Sequence, residues 1–199
     1  GTFSIETDAD WLQHGFFYGP ALTLTNLPGG SIIRQNHSGE STIAAILDFR
    51  ETVTINSGSL SVTGGGALTS LTLNGGKLNL EAETYTPFGT SQTIGGMGAV
   101  RLTGGTLDVP AGQEITFQNM DLVSGTVQGL GTVNVTGLSH WSGGTMREPG
   151  LTNFAAGSSL FIEGADPRFL ESRHVQTAGA VTWSGGDVFT GSIDGSDTG

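Results

Sequence analysis

The 199-residue chain has no cysteine, a single lysine (Lys77), six prolines and only 13 % charged residues. Each scarcity excludes something. Without cysteine there is no disulfide scaffold and no thiol chemistry; the lack fits a cytosolic protein or one of the large exported surface proteins of bacteria, and the composition favours the second. Seven lysines and arginines against 18 acids leave a formal net charge of -11. Such a surface cannot track nucleic-acid phosphates, and an anionic membrane repels it. No run approaches the roughly 20 apolar residues of a membrane span, and residues 1–20 lack the basic and apolar regions of a secretory signal. Sparse charge with average hydrophobicity also argues against disorder.

What is plentiful is glycine, 34 residues without the G-X-Y period of collagen. One phrase returns, a pair of small residues followed by an apolar–polar–apolar strand: Gly75-Gly76-Lys77-Leu78-Asn79-Leu80, Gly104-Gly105-Thr106-Leu107-Asp108-Val109, Ser124-Gly125-Thr126-Val127, Gly143-Gly144-Thr145-Met146 and Gly185-Gly186-Asp187-Val188. The second small residues lie 29, 20, 19 and 42 positions apart. A unit of about 20 residues fits if one coil has lost its pair, at 156–162, and if residues 81–98 form an excursion. A second strand recurs as Gly131–Val135 and Ala180–Trp183, and Trp-Ser-Gly-Gly appears at 141–144 and again at 183–186.

Short alternating strands with glycine turns at this period predict an all-β parallel β-helix, or β-solenoid, of about 20 residues per coil. Alternation in Leu78-Asn79-Leu80, Leu107-Asp108-Val109 and Val133-Asn134-Val135 sends the aliphatics inward and the polar residue outward. Roughly seven to nine coils about 4.8 Å apart give a rod on the order of 35–45 Å long. Residues 1–55 lack the phrase. They read as an N-terminal cap with irregular first coils, and 56–199 as the regular coils of the same domain. Ile43–Phe49 is a helical turn or a buried strand, between which periodicity does not choose. The start at Gly1 and the polar run 192–199 read as a piece excised from something longer.

The phrase at 141–146, the run 155–164 and the phrase at 183–187 resemble repeats of large secreted bacterial surface proteins of the adhesin, haemagglutinin and autotransporter-passenger kind. The resemblance implies a right-handed coil displayed outside the cell as a stalk, fibre or adhesive surface. It implies no shared catalytic motif, so it transfers no active-site residue.

The residues themselves offer little chemistry. No constant acid follows the glycine pairs, which excludes a calcium-binding roll; Asp8/Asp10 and Asp194/Asp197 supply too few ligands for calcium. His14, His37, His140 and His174 have no metal-ligand spacing, and no Gly-x-Ser-x-Gly elbow is present. Neither a metal nor a cofactor is expected. Aligning coils on the glycine phrase gives an outward column of Asn79, Asp108, Gln128 and Arg147 with one carboxylate. A glycosidase needs two. Glu81 and Glu83, beside Tyr85 and Phe88 at the start of the 81–98 excursion, are the best enzyme-like group. Trp11 and Phe17 are the candidate contact aromatics of the N-terminal segment. Trp141 and Trp183 share parity with buried aliphatics and are expected inside. Ranks of Thr-x-Thr suited to ice are not apparent, Thr23/Thr25 and Thr52/Thr54 being 29 residues apart.

The function expected is that of a non-enzymatic extracellular solenoid, structural or adhesive, associating with itself end to end or with other surface proteins, because open solenoid ends add strands. The alternative is a β-helix that binds or degrades polysaccharide through 81–98. Neither nucleic acid nor membrane insertion is expected.

Overall fold

The computed structural model describes residues 1–12 and 22–191, and among them every regular element is a β-strand. The strands are short because a corner follows every three or four residues. Ser31–Arg34, Glu40–Ile43 and Ile46–Phe49 make one turn, and Val53–Ile55, Ser59–Val62 and Gly66–Leu68 the next. Each strand pairs in parallel with its equivalent one turn on, so three faces form, nine, eight and nine strands deep. This is a parallel β-solenoid of about eight turns.

The interior is built as the alternation requires. Leu60, Leu78, Val100 and Met120 stack in register on the second face. Ile94, Phe117, Val135 and Phe154 do so on the first, and Leu107, Val127 and Met146 on the third. Leu78, Leu107 and Val133 are fully buried. Burying one such side chain is worth about 1.5–3 kcal/mol, but a coil closes over its apolar residues only when another coil lies on it.

The corner before the second face shows what glycine does here. Registers place Gly39, Gly58, Gly76 and Gly98 one above another, and Gly137, Ser158 and Gly179 likewise. A Cβ on Gly98 would lie 1.9 Å from the carbonyl oxygen of Gly76, and one on Gly137 2.5 Å from that of Gln118. At this seam the backbone of one coil rests on the carbonyls of the coil beneath, which is why small residues recur.

Several expectations need correction. Gly76 opens a strand of the second face, whereas Gly105, Gly125 and Gly144 stand at the corner before the third. The 29-residue interval therefore joins two different corners. Residues 81–98 make no excursion: Thr84–Pro87 and Ser91–Gly95 are regular strands paired on both sides. The coil without its glycine pair is also elsewhere. Residues 159–162 belong to the second face, and the third-face strand of that turn is Arg168–Glu171, where Arg168 takes the place of Gly144. Asn79 leaves the predicted column, since it stands on the second face between Ser61 and Arg101. It is buried, donating through Nδ2 to Glu40 Oε2 and Ser61 Oγ at 3.0 Å each. Asp108, Gln128 and Arg147 do align, and Arg147 Nε donates to Gln128 Oε1 at 2.8 Å.

Residues 23–55 take their places in the same three sheets. Ile43 ends one strand, Ile46 begins another, and Thr2–Ile5 and Thr23–Asn26 pair with the turn above.

Candidate functional site

The predicted contact residues do not meet. Glu81 follows the strand Lys77–Leu80, and Glu83, with φ at 60°, turns the corner between the second and third faces. Past that turn Tyr85 points inward. It is fully buried, and its hydroxyl donates to the Val62 carbonyl at 2.6 Å. Tyr85 is thus a core residue, and burial pushes its phenol well above the usual range. Phe88 lies beyond the far end of the same strand, exposed, with the Arg50 guanidinium 5.7 Å from its ring centroid. Trp11 is exposed at the first turn, 6.1 Å from the ring of Phe3 and bridged to Ile43. Phe17, like His14 and Asp194/Asp197, lies outside the described residues. Asp8 and Asp10 are engaged by the protein: Asp8 pairs with buried Arg34 at 2.7 Å, and Asp10 accepts from the Thr42 amide at 2.8 Å. Among the described residues no cluster of three or more potential ligands is placed to hold a metal ion.

Three other arrangements emerge, and strand register creates each. The first is a charged row on the outside of the second face, where Asn79, Arg101, Asp121 and His140 stand in successive turns. Arg101 Nε lies 3.7 Å from Asp121 Oδ2, the His140 amide donates to Asp121 Oδ1 at 3.3 Å, and His140 Nδ1 is 2.6 Å from Glu163 Oε1. Phe161, one turn on, stacks on the His140 ring at 5.3 Å. Burial raises the Asp121 carboxyl above its ordinary value, against the pull of His140 and Arg101. These groups satisfy one another in a line along the sheet, an arrangement that holds neighbouring turns together.

The second is an uncharged ladder outside the first face. Thr2, Ser31, Thr52, Ser70, Thr93, Thr116, Asn134, Asn153 and Gln176 occupy equivalent positions in nine consecutive strands. Asn153 Nδ2 donates to Asn134 Oδ1 at 2.9 Å, and Gln176 Nε2 to Asn153 Oδ1 at 3.1 Å. Thr52 and Thr54 lie directly beneath Ser70 and Thr72, a pairing hidden in the sequence because the glycine phrase does not mark this face.

The third is formed by the last turn among the described residues, His174–Thr177, Ala180–Trp183 and Val188–Thr190. Trp141, Ile162 and Trp183 share one inward column. Trp141 is 3 % exposed, but Trp183 is 60 % and Val181 45 % exposed. The expectation that both tryptophans are buried holds for Trp141 and fails for Trp183, which shares the column but has no further turn above it among the described residues. Together with Leu160, Ile162, Leu170, Val175 and Val188 these side chains line an apolar hollow of about 320 Å³. Corners near this end are pinned by arginines. Arg168, fully buried, donates to the carbonyls of Trp141 (2.7 Å), Gly164 (3.0 Å), Glu163 and Asp187. Arg173 donates to Thr152 Oγ1 and to the carbonyls of Gly129 and Leu151, and burial pulls it down to about 10.

Comparison with known protein families, with curated proteins and with solved structures finds no match to this chain.

Proposed function

We propose that this chain is a structural and interaction segment, a non-enzymatic solenoid rod that works outside the cell as part of a stalk, fibre or adhesive surface and stacks end to end on further coils. The observation that carries the proposal is the last turn. Its inward side chains are those of a core, yet Val181 and Trp183 face solvent. Among the described residues strands 174–177, 180–183 and 188–190 each end a sheet on one side, and an edge strand is a template for another strand. A coil of the same solenoid has the three strand directions and the apolar interior to fit all three edges at once.

The composition, glycine-rich and sparse in charge, and the resemblance to exported surface repeats support the extracellular setting. The test is sedimentation velocity of the whole chain over a wide concentration range, with negative-stain electron microscopy. The wild type should lengthen into rods at high concentration, and Val181→Asp with Trp183→Asp should stay monomeric. A wild-type particle that remains one solenoid long at millimolar concentration refutes the end-to-end reading.

A further inference from the structure

Beside the uncharged ladder the first face carries a groove of about 460 Å³, floored by Thr52, Ser70, Thr72, Thr93 and Gly95 and rimmed by Arg50 and Glu51. Gly95 is what deepens it. In register it follows Thr72, and beneath that Thr54, in the outward column next to the ladder. Its φ is not in the left-handed region, and a Cβ there would meet nothing closer than Gln118 Oε1 at 3.8 Å. The adjoining Gly96 is the opposite case, with φ at +98° and a would-be Cβ 2.4 Å from the Leu73 carbonyl oxygen. Neither conformation nor packing requires glycine at 95. The missing side chain leaves a notch.

The polar groups around the notch are unlike those further up the ladder, where amides bond to one another. Ser70 is engaged, donating to Gln92 Oε1 and accepting from the Thr93 amide, both at 3.1 Å. Among the described residues the hydroxyls of Thr52, Thr72 and Thr93 have no protein partner, so each offers one donor and an acceptor to a ligand. The floor holds no ionisable group. The rim cation is committed, since Arg50 Nε lies 2.9 and 2.8 Å from the two oxygens of Asp48 and Nη2 lies 2.7 Å from one of them. Glu51 opposes an anion. The groove therefore offers an anionic polymer no free cation and an opposing carboxylate, and the exposed Phe88 ring under Arg50 adds an apolar patch beside it.

We propose that this groove binds an uncharged polysaccharide, whose hydroxyls pair with the free threonine hydroxyls while a sugar ring settles in the notch at Gly95. The proposal uses the solenoid fold but not its end-to-end association, so the two can fail separately. Affinity gel electrophoresis of the whole chain through laminarin, dextran, galactomannan and polygalacturonate tests it, beside Gly95→Gln and the double variant Thr72→Ala/Thr93→Ala. Gly95→Gln repeats the residue of the next turn and fills the notch without strain. At least one of the three neutral polymers should retard the wild type, polygalacturonate should not, and each variant should weaken retardation at least tenfold with an unchanged circular dichroism spectrum and a cooperative melting transition. No retardation by any neutral polymer, retardation by polygalacturonate alone, or retardation that survives Gly95→Gln overturns the proposal.

Discussion

Two alanine substitutions three residues apart should change stability in opposite directions, and the difference tests the stacking geometry. Neither Gly95 nor Gly98 has a left-handed φ, so backbone strain enters neither case. At Gly95 a methyl group meets only a glutamine oxygen at 3.8 Å, an ordinary contact. Alanine there removes freedom from the unfolded chain and should stabilise by about 0.4–1 kcal/mol. At Gly98 the methyl carbon would fall 1.9 Å from Gly76 O and 2.8 Å from Leu73 Cβ, where ordinary contact begins at 3.4 Å. Both atoms belong to the turn beneath, and the Gly76 carbonyl is held by the strand it leads into, Lys77–Leu80, which is paired on both sides. The turns must separate locally, at a cost of about 3 kcal/mol or more, in the upper part of what single substitutions do. Because a solenoid is stabilised turn by turn through nearest-neighbour interfaces, the weakened interface should also lower cooperativity. Urea unfolding followed by circular dichroism should give a higher midpoint for Gly95→Ala, and a lower one with a broader or split transition for Gly98→Ala. Equal midpoints for wild type and Gly98→Ala would show that the seam is not a close approach, and the account of the recurring glycines would be wrong.

Tyr85→Phe removes a buried hydroxyl and leaves the Val62 carbonyl with the Glu81 amide as its remaining donor, so it should cost about 0.5–1.5 kcal/mol near neutral pH. Burial raises the phenol's pKa in the folded state, so the stability tied to its neutral form is complete below the unfolded value near 10 and is lost as pH rises above it; alkaline titration of the melting temperature should show a fall in the wild type that Tyr85→Phe lacks. Arg168→Met keeps the bulk but abandons the carbonyls of Trp141, Glu163, Gly164 and Asp187. It should destabilise by about 3 kcal/mol or more, read as a drop in urea midpoint, and an unchanged midpoint would deny the corner its pin. Asp121 has its folded pKa raised, chiefly by burial, so its protonated form stabilises at acid pH and that contribution fades as pH rises through the folded value. Asp121→Asn should flatten the stability profile above the ordinary aspartate value of about 4, since asparagine retains an acceptor for the His140 amide; an unaltered profile would contradict the burial of this carboxyl.

The fold was legible because its rule is local. An aliphatic at every second position of a four-residue strand and a small residue at each corner suffice, and Leu78, Leu107 and Val133 are buried as that rule demands. Phase along the coil was not legible. Gly75-Gly76 and Gly104-Gly105 look alike but sit at different corners, and nothing in the dipeptide tells which face comes next. From that ambiguity came the excursion at 81–98, the misplaced Asn79 and the grouping of Glu81, Glu83, Tyr85 and Phe88. Glu83 carries the turn itself at φ 60°, a conformation that glycine or asparagine would have advertised and glutamate does not. The uncharged ladder has a signal that could have been found, Thr52-Val53-Thr54 followed 18 residues on by Ser70-Leu71-Thr72, but it becomes visible only when coils are aligned on apolar positions rather than on glycines.

Trp141 and Trp183 form an internal control on the proposed assembly. They stand in the same inward column with Ile162 between them, and they differ in whether the structure places another turn above. Their exposures, 3 % and 60 %, report what that turn covers. An aromatic of this size buries about 150–250 Å² when fully covered, so closing over the exposed part of Trp183 alone removes on the order of 100 Å² from water, worth roughly 2–3 kcal/mol at 25 cal/mol per Å². Val181 and the three strand edges add to this, against the entropy lost on association. Iodide quenching separates the two tryptophans once the exposed Trp11 is replaced by phenylalanine. In dilute Trp11→Phe protein, about half the emission should be quenched, from Trp183, and the rest shielded, from Trp141. As concentration rises the quenchable share should fall in step with the sedimentation coefficient. A sedimentation coefficient that rises while the share stays constant would place the contact elsewhere on the rod, and the open end would lose its role.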